Sequence, residues 1–440
     1  MYDVIICGGQ VVTPLGIKEL DIGIQDGKIT ALSEVGMCEE VVPRIDASGK
    51  YILPGGIDVH VHMNDLGAEE MEDWRHGSLA AAVGGITTVV DMPIDNVPST
   101  TDSKSMRRKL ERIRGNSYVD YLLWGGLTAD NLEKLPGMLE EGAVGFKTFL
   151  IDSSGEDFGR TTDGVLLEAM KAAAKEDFPI MIHAENDELN QYYTEQYGTS
   201  TDWADWSKMH PESGELEAVA KCLVFAGITG ARIHIAHVSS AKTADMIEVA
   251  RRKGIRVTCE TCPHYLIFTD QDYEEKGALL KCAPPVRDEK NRQRLWEALN
   301  DGRIDMISSD HSPSQGGKEY HWIKEAWAGI AGIQNTLLAM YSEGFCKGKI
   351  SLEQVAAVCS ANPAQMLGIS RHKGSIEVGK DADLVILDPK KDTIFKRDQM
   401  KMKVKESVYE NYHFRGRIER SFLRGREVTE GAPAGRYIRR

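Results

Sequence analysis

Short apolar runs rich in β-branched residues alternate with amphipathic segments through the middle of this chain. The amphipathic segments repeat apolar residues at three- and four-residue spacing, as helices do, and the apolar runs have the length of buried strands. Such alternation predicts parallel βα units, and eight of them match the size of a (β/α)₈ TIM barrel. The predicted strands are residues 56–62, 87–92, 120–124, 144–149, 180–184, 232–238, 255–261 and 304–309.

The two ends of the chain follow a different pattern, in which short strands are separated by turn signals such as Asp26-Gly27. The termini of a domain usually lie close together, so strands from both ends can pair with each other. We therefore predict an α/β fold with a small discontinuous β-sandwich domain built from residues 1–51 and 376–440. Residues 52–375 form the predicted catalytic barrel.

The composition narrows the class of protein. The chain has 440 residues, of which 42% are hydrophobic and 27% charged, as is ordinary for a globular enzyme. Its net charge of −14 disfavours nucleic acid or an anionic membrane as a partner. No apolar run reaches the roughly 18 to 20 residues of a membrane span, and no basic region precedes the first apolar residues. These features predict a cytoplasmic protein that acts on a small molecule.

Two imidazoles lie two residues apart in the first predicted barrel strand, at His60 and His62. A strand has a period of two, so both rings face the same side, about 6 to 7 Å apart along the strand. Imidazole is a common ligand of divalent metals, and two rings on one face can converge on one ion. The pair by itself also fits two polar residues at a strand end.

Further ligand-capable groups end other predicted strands. The carboxyl ends of barrel strands meet at one mouth, so these groups should converge there. Taken alone, a buried lysine more often forms a Schiff base or a salt bridge, although CO₂ can carboxylate it to an anionic ligand that bridges two metals. Convergence favours a binuclear metal centre. The candidate ligands are His60, His62, Lys147, His183, His237 and Asp310.

Other candidates are weaker. His234 precedes His237 by three residues, which places it on the opposite face of the strand and predicts outward packing. Cys259 and Cys262, followed by His264, resemble a Cys-x-x-Cys zinc site, but residues three apart on a strand diverge and no second cysteine pair follows. We therefore interpret these cysteines as core residues.

Several segments carry the motifs of a known family: residues 54–62, 84–93, 144–147, 236–240, 260–266, 281–287, 307–313 and 373–384. On these motifs the chain resembles, nearly end to end, the cyclic amidohydrolases of the amidohydrolase superfamily, and most closely the allantoinases. The resemblance implies hydrolysis of a cyclic amide bond by a binuclear enzyme that assembles as a homotetramer.

The resemblance also implies roles for individual residues. Two divalent ions are expected, zinc with cobalt, manganese or nickel as alternatives, the first held by His60, His62 and Asp310 and the second by His183 and His237. Lys147, as N6-carboxylysine formed with CO₂, would bridge them. A hydroxide between the ions would attack the ring carbonyl, with Asp310 as general base and then general acid.

Residues that differ between the subfamilies of cyclic amidohydrolases indicate the substrate. Dihydroorotases have an arginine two residues after the histidine pair, whereas this chain has Asn64, which suits a neutral ureide. Hydantoinases and dihydropyrimidinases have a tyrosine shortly after the lysine, and residues 150–153 contain none. These features indicate conversion of allantoin to allantoate in purine catabolism. The segments 65–70 and 91–96 depart from the allantoinase pattern, which leaves a hydantoinase, dihydropyrimidinase or other cyclic imide or ureide hydrolase as the alternative.

Candidate substrate contacts are the Asn64 side chain and backbone groups near Ala283 and Gly332, with residues 326–332 as a wall of the cavity. A more remote alternative is a non-catalytic assembly protein of the same fold. Such proteins lose the metal ligands, whereas all six are present in this chain.

Overall fold

The computed structural model describes residues 2–37, 41–153, 157–314, 320 and 322–439. The strands within these residues are β1 Val4–Thr13, β2 Gly16–Gln25, β3 Lys28–Ser33, β4 Arg44–Asp46, β5 Tyr51–Pro54, β6 Gly56–Val61, β7 Ile86–Asp91, β8 Asp120–Leu123, β9 Gly125–Gly126, β10 Phe146–Phe149, β11 Ile180–His183, β12 Ile233–Ile235, β13 Val257–Thr261, β14 Met306–Ile307, β15 Leu384–Asp388, β16 Thr393–Ile394, β17 His413–Phe414, β18 Arg417–Leu423 and β19 Arg426–Glu427.

The α-helices of the same residues are α1 Trp74–Val83, α2 Ser103–Ile113, α3 Leu135–Glu141, α4 Asp163–Glu176, α5 Asp187–Tyr197, α6 Trp206–Met209, α7 Glu212–Thr229, α8 Ala241–Arg252, α9 Pro263–Ile267, α10 Tyr273–Lys276, α11 Glu289–Asn300, α12 Thr336–Ala339, α13 Leu352–Ala356 and α14 Asn362–Leu367. Two π-helical segments, Met340–Phe345 and Ala357–Ala361, continue α12 and α13. None of the helices in the described part of the chain is long and apolar enough to span a bilayer.

The middle of the chain forms a (β/α)₈ barrel, as the sequence predicts. Strands β6 to β8 pair in parallel, and β9 to β14 form a second parallel sheet. The backbone N–H of Val144 donates to Leu123 O at 3.1 Å, and that of His62 donates to His311 O at 2.8 Å, which joins the two sheets on both sides. The third predicted strand corresponds to β8, and β9 follows just outside the predicted range. Each of the eight predicted strands therefore has a counterpart.

The two ends of the chain share one sheet in the strand order β19-β18-β15-β5-β1-β2-β3, with β4 also paired to β1. The contact between the ends is the antiparallel pair β5–β15, in which Ile52 faces Ile386. An apolar cluster that includes Ile6, Val11 and Ile22 packs with both of these side chains. The fold is thus a TIM barrel with a β-sandwich, while the domain division at residues 51 and 376 stays a prediction.

A buried ion cluster ties the barrel to this sheet. The Lys373 side chain is 2% exposed, its Nζ lies 2.8 Å from an oxygen of Asp120 at the start of β8, and it also pairs with Asp383 just before β15. Burial alone would lower the pKa of Lys373, but the charges of Asp383 and Asp120 outweigh burial and raise the pKa above its usual value. The lysine therefore stays charged between the two carboxylates.

We expect Lys373→Met to lower the free energy of unfolding by about 3 kcal/mol, because it leaves the buried Asp383 carboxylate without its cation, while Asp120 keeps its pair with Arg424. Urea denaturation followed by circular dichroism measures the change. Lys171→Met, which breaks an exposed pair with Glu168, is the matched control and should cost less than about 1 kcal/mol. Equal effects of the two substitutions would contradict this role of Lys373.

Candidate metal centre

The barrel brings all six candidate ligands to one cavity of about 420 Å³. His62, His237 and Asp310 follow strands, His183 ends β11, and His60 and Lys147 lie within β6 and β10. They share one face because the carboxyl ends of parallel barrel strands meet there. The residues that share the cavity wall are His60, His62, Lys147, His183, His237 and Asp310.

The side chains of this group lie within reach of a common ion. Asp310 Oδ1 lies 3.1 Å from His60 Nε2 and 3.4 Å from His62 Nε2. The rings of His60 and His237 have centroids 5.4 Å apart, and those of His183 and His237 are 4.5 Å apart. Ligand atoms of His60, His237 and Asp310 all lie within 4.8 Å of one another. Imidazole nitrogens and a carboxylate oxygen at this separation suit a divalent cation such as zinc.

Two of these residues have unusual backbones. His237 has φ +35° and Asp310 φ +47°, in the left-handed region that costs a non-glycine residue about 1–3 kcal/mol. Both residues follow strands, β12 and β14, that are shorter than the sequence predicts. Strain of this kind is typical of functional sites, where the surrounding structure holds a side chain in place.

Carboxylates fix three of the imidazoles. His60 Nδ1 donates to Glu260 Oε1 at 2.6 Å, His62 Nδ1 to Asp95 Oδ2 at 2.8 Å, and His183 Nε2 to Glu185 Oε2 at 2.7 Å. Because one nitrogen of each ring donates to a carboxylate, the other nitrogen carries a lone pair for a metal, as in many zinc sites. The sequence analysis missed these three carboxylates. A signal existed for Glu185, which follows His183 by two residues.

Burial and charge set the protonation of the group. Burial lowers the pKa of His60, His183 and His237, which keeps these rings neutral and able to bind a metal. Burial alone would raise the pKa of Asp310, but the neighbouring imidazoles hold it well below its usual value, so the carboxylate is ionised. For His62, burial alone would lower the pKa, but hydrogen bonds with Asp310 and Asp95 outweigh burial and raise the pKa to about 9. The cavity therefore combines three imidazoles of lowered pKa, one of raised pKa and an anionic oxygen ligand.

Lys147 has no hydrogen-bond partner for its Nζ among the described residues, and the residue is fully buried. The amine lies 4.4 Å from the centre of the Phe149 ring. Burial lowers the pKa of Lys147 to about 8, because the low-dielectric interior disfavours the ammonium form. A substantial neutral fraction therefore exists near neutral pH, and a neutral amine is the form that reacts with CO₂.

The predicted substrate contacts differ in position. Ala283 lines the cavity, together with Ala326, Trp327 and Ala328 of the predicted wall. Asn64 is 1% exposed and Gly332 starts a short 3₁₀ turn, and neither is among the described residues that line the cavity. Sequence reasoning missed other lining residues: Ile94, Asp95, Phe149, Trp206, His210, Lys281 and Ser312.

The weaker candidates lie outside the cavity wall. His234 is fully buried, its Nδ1 is 2.8 Å from Thr258 Oγ1, and its Nε2 is 3.3 Å from Glu260 Oε2. It is not among the described residues of the cavity wall, but the predicted outward packing is wrong. Its ring meets Glu260, which also pairs with His60, whereas Ile233 and Ile235 on the other face of β12 pack with helix residues such as Ile247. Cys259 and Cys262 are buried, with their Sγ atoms near Arg303 O and Ser308 Oγ.

The protein is a TIM barrel with a β-sandwich, and imidazoles, a lysine and an aspartate line the cavity at the carboxyl ends of its barrel strands. These features define a metal-dependent hydrolase. More specifically, the chain belongs to the amidohydrolase family, whose model matches residues 51–418. This is the superfamily expected from the sequence motifs.

Individual relatives match over the whole chain. The allantoinase of Rubrobacter xylanophilus is 37% identical, with 100% of this chain and 98% of that protein covered. The allantoinase of Bacillus velezensis is 39% identical, with 98% and 94% covered. Among solved structures, an L-hydantoinase (dihydropyrimidinase) from Arthrobacter aurescens superposes with a TM-score of 0.96 at 34% identity, covering 100% of both chains.

Proposed function

We propose that this protein is an allantoinase, an enzyme that hydrolyses the cyclic ureide allantoin to allantoate. The full-length similarity to curated allantoinases at 34–39% identity carries the proposal. Six ligand-capable side chains in one cavity support a catalytic role over that of a non-catalytic assembly protein. A homotetramer, as the resemblance implies, and the cytoplasmic location expected from the sequence are further parts of the proposal.

We further propose two divalent ions, zinc in the first instance. His60, His62 and Asp310 would hold one ion, and His183 and His237 the other. The bound ions supply a lowered pKa for coordinated water and polarisation of the amide carbonyl. Support for a metal centre comes from the ligand atoms of His60, His237 and Asp310, which lie within 4.8 Å of one another, and from the three rings oriented by carboxylates. The division of the ligands between two ions follows the family resemblance.

Lys147 would take part as N6-carboxylysine. Its neutral amine attacks the carbon of CO₂, a C–N bond forms, and the proton leaves to solvent, so that a buried amine becomes an anionic ligand. The unpartnered Nζ and the pKa of about 8 support this assignment. The carbamate would then bridge the two ions.

Asp310 would move the proton of the reaction. Its ionised carboxylate accepts the proton from the attacking water and delivers it to the ring nitrogen as the C–N bond breaks, so it acts first as general base and then as general acid. Ile94, Phe149 and Trp327 supply apolar surface around the substrate ring and reduce access of bulk water. The chain therefore provides both the proton carrier and a partly apolar cavity.

The second candidate is a hydantoinase, because the L-hydantoinase structure superposes with a TM-score of 0.96. A hydrolysis panel of allantoin, hydantoin, dihydrouracil, dihydroorotate and succinimide with zinc-loaded, bicarbonate-treated protein separates the two. We expect kcat/KM for allantoin to exceed every other value by about tenfold or more, since substrate-specific hydrogen bonds discriminate at this level. Rates on hydantoin or dihydrouracil equal to or above those on allantoin would contradict the proposal. A metal-loaded protein without any activity would instead favour the assembly protein.

A further inference from the structure

Glu185 joins a candidate metal ligand to a second histidine that no sequence motif singles out. The carboxylate is 1% exposed, with Oε2 2.7 Å from His183 Nε2 and Oε1 2.8 Å from His210 Nδ1. Carboxylate oxygens accept hydrogen bonds, so His210 Nδ1 is the donor to Glu185; the side-chain amide of Asn190 lies 3.0 Å from the same nitrogen.

His210 is held from two sides and lines the cavity. Besides the bond to Glu185, its ring packs against Trp206, with ring centroids 4.0 Å apart. Its Nε2 forms no hydrogen bond with any of the residues that the structure describes. With Nδ1 bonded to Glu185, Nε2 is the ring nitrogen left to meet a ligand. The cavity therefore presents one fixed imidazole that the catalytic group does not use.

The position of His210 indicates which part of a substrate it meets. The scissile amide has to lie over the group that contains His60, His237 and Asp310. Among the described residues, His210 is linked to that group through Glu185 and His183 and makes no direct contact with it. We therefore place His210 beside substrate atoms away from the breaking bond. Allantoin is a hydantoin ring with a ureido substituent, and the N–H groups of that substituent are donors that unsubstituted hydantoin lacks.

We propose that His210 is a substrate-binding residue whose Nε2 accepts a hydrogen bond from the ureido substituent, with Glu185 as the positioning residue that orients both His210 and His183. The inference rests on the proposed allantoinase function and extends it to substrate selection. A single carboxylate then sets the orientation of one metal ligand and of one specificity determinant.

The chain offers a matched control in a second shared carboxylate. Glu260 lies between His60 and His234 as Glu185 lies between His183 and His210. His234, however, is fully buried and is not among the described residues of the cavity wall. Replacing either outer histidine removes a partner of a carboxylate that holds a ligand, but only His210 can touch the substrate.

The test compares His210→Asn with His234→Asn on allantoin and hydantoin. Asparagine retains a donor near the position of Nδ1 and removes the acceptor at Nε2. We expect His210→Asn to lower kcat/KM for allantoin about tenfold through KM, the loss of one hydrogen bond, and to change the hydantoin value less than about twofold. His210→Gln, which keeps a polar group near Nε2, should recover part of the loss. His234→Asn should leave the ratio of kcat/KM for allantoin to kcat/KM for hydantoin unchanged.

Metal content by plasma mass spectrometry and far-ultraviolet circular dichroism accompany the rates and separate substrate binding from metal loss or misfolding. The inference is overturned if His210→Asn lowers kcat/KM for allantoin and for hydantoin by the same factor. It is also overturned if the ratio of the two kcat/KM values shifts no more in His210→Asn than in His234→Asn. A wild-type protein that does not hydrolyse allantoin overturns the proposed function and this inference together. A wild-type protein active on allantoin, with no shift of the ratio in the variants, overturns only the role of His210.

Discussion

Asp310→Asn is expected to lower kcat for allantoin by at least about 10³-fold, within the range that general acid–base groups contribute. The amide has nearly the same shape as the carboxylate, but it cannot take a proton from water and return it to the leaving nitrogen. Asp310 Oδ1 lies 3.1 Å from His60 Nε2, so Asp310 is also a candidate metal ligand. Part of the loss of activity should therefore appear as weaker metal binding. Steady-state rates at saturating zinc measure the first effect, and metal titration measures the second.

The control for this variant is Asp301→Asn, because Asp301 is an exposed partner of Arg303 in a turn after α11, outside the described cavity wall. Its kcat should match that of the unmodified protein. An Asp310→Asn variant that retains more than about a tenth of the activity would contradict the assignment of Asp310 as the proton carrier.

Lys147→Met is expected to remove most of the bound metal and, with it, the activity. Methionine has a similar length but cannot form a carbamate, so five ligands remain for two ions and the anionic bridge is lost. Plasma mass spectrometry measures the metal, and carbon-13-labelled bicarbonate should give a carbamate resonance in the unmodified protein that the variant lacks. We expect the metal content to fall below about one ion per chain, because removing a first ligand weakens a site more than the 10–100-fold seen for second-layer partners.

Lys281→Met is the matched control for Lys147, since Lys281 is also buried and lines the same cavity. Its Nζ donates to Ile323 O at 2.7 Å and to Ala326 O at 2.5 Å, so its role is to hold the cavity wall. This variant should keep its metal and its carbamate signal. Equal metal loss in both variants would show that the effect of Lys147 is structural.

The barrel could be predicted from the sequence because its signal is local. Apolar runs of strand length alternate with helical periodicity, and each run has a counterpart, as residues 180–184 have in β11 Ile180–His183. The convergence of the six candidate ligands followed from the barrel, since its geometry alone brings distant strand ends to one mouth.

The surroundings of the site could not be predicted in this way. Glu260 reaches His60 across 200 residues of sequence, and His210 reaches Glu185 because the chain after α5 turns back toward the mouth. These contacts depend on loop paths, which hydrophobic periodicity does not specify. Asn64, a predicted substrate contact, is buried, and the chain takes a left-handed conformation there, with φ +51°.

The most direct test of the account is a crystal structure of the zinc-loaded protein with anomalous diffraction recorded at the zinc edge. We expect about two zinc ions per chain, bridged by a carboxylated Lys147 and bound to His60, His62, His183, His237 and Asp310, as in other two-metal hydrolase sites. Fewer than about one ion per chain at these residues, with a free amine on Lys147, would contradict the binuclear centre and the hydrolytic function built on it.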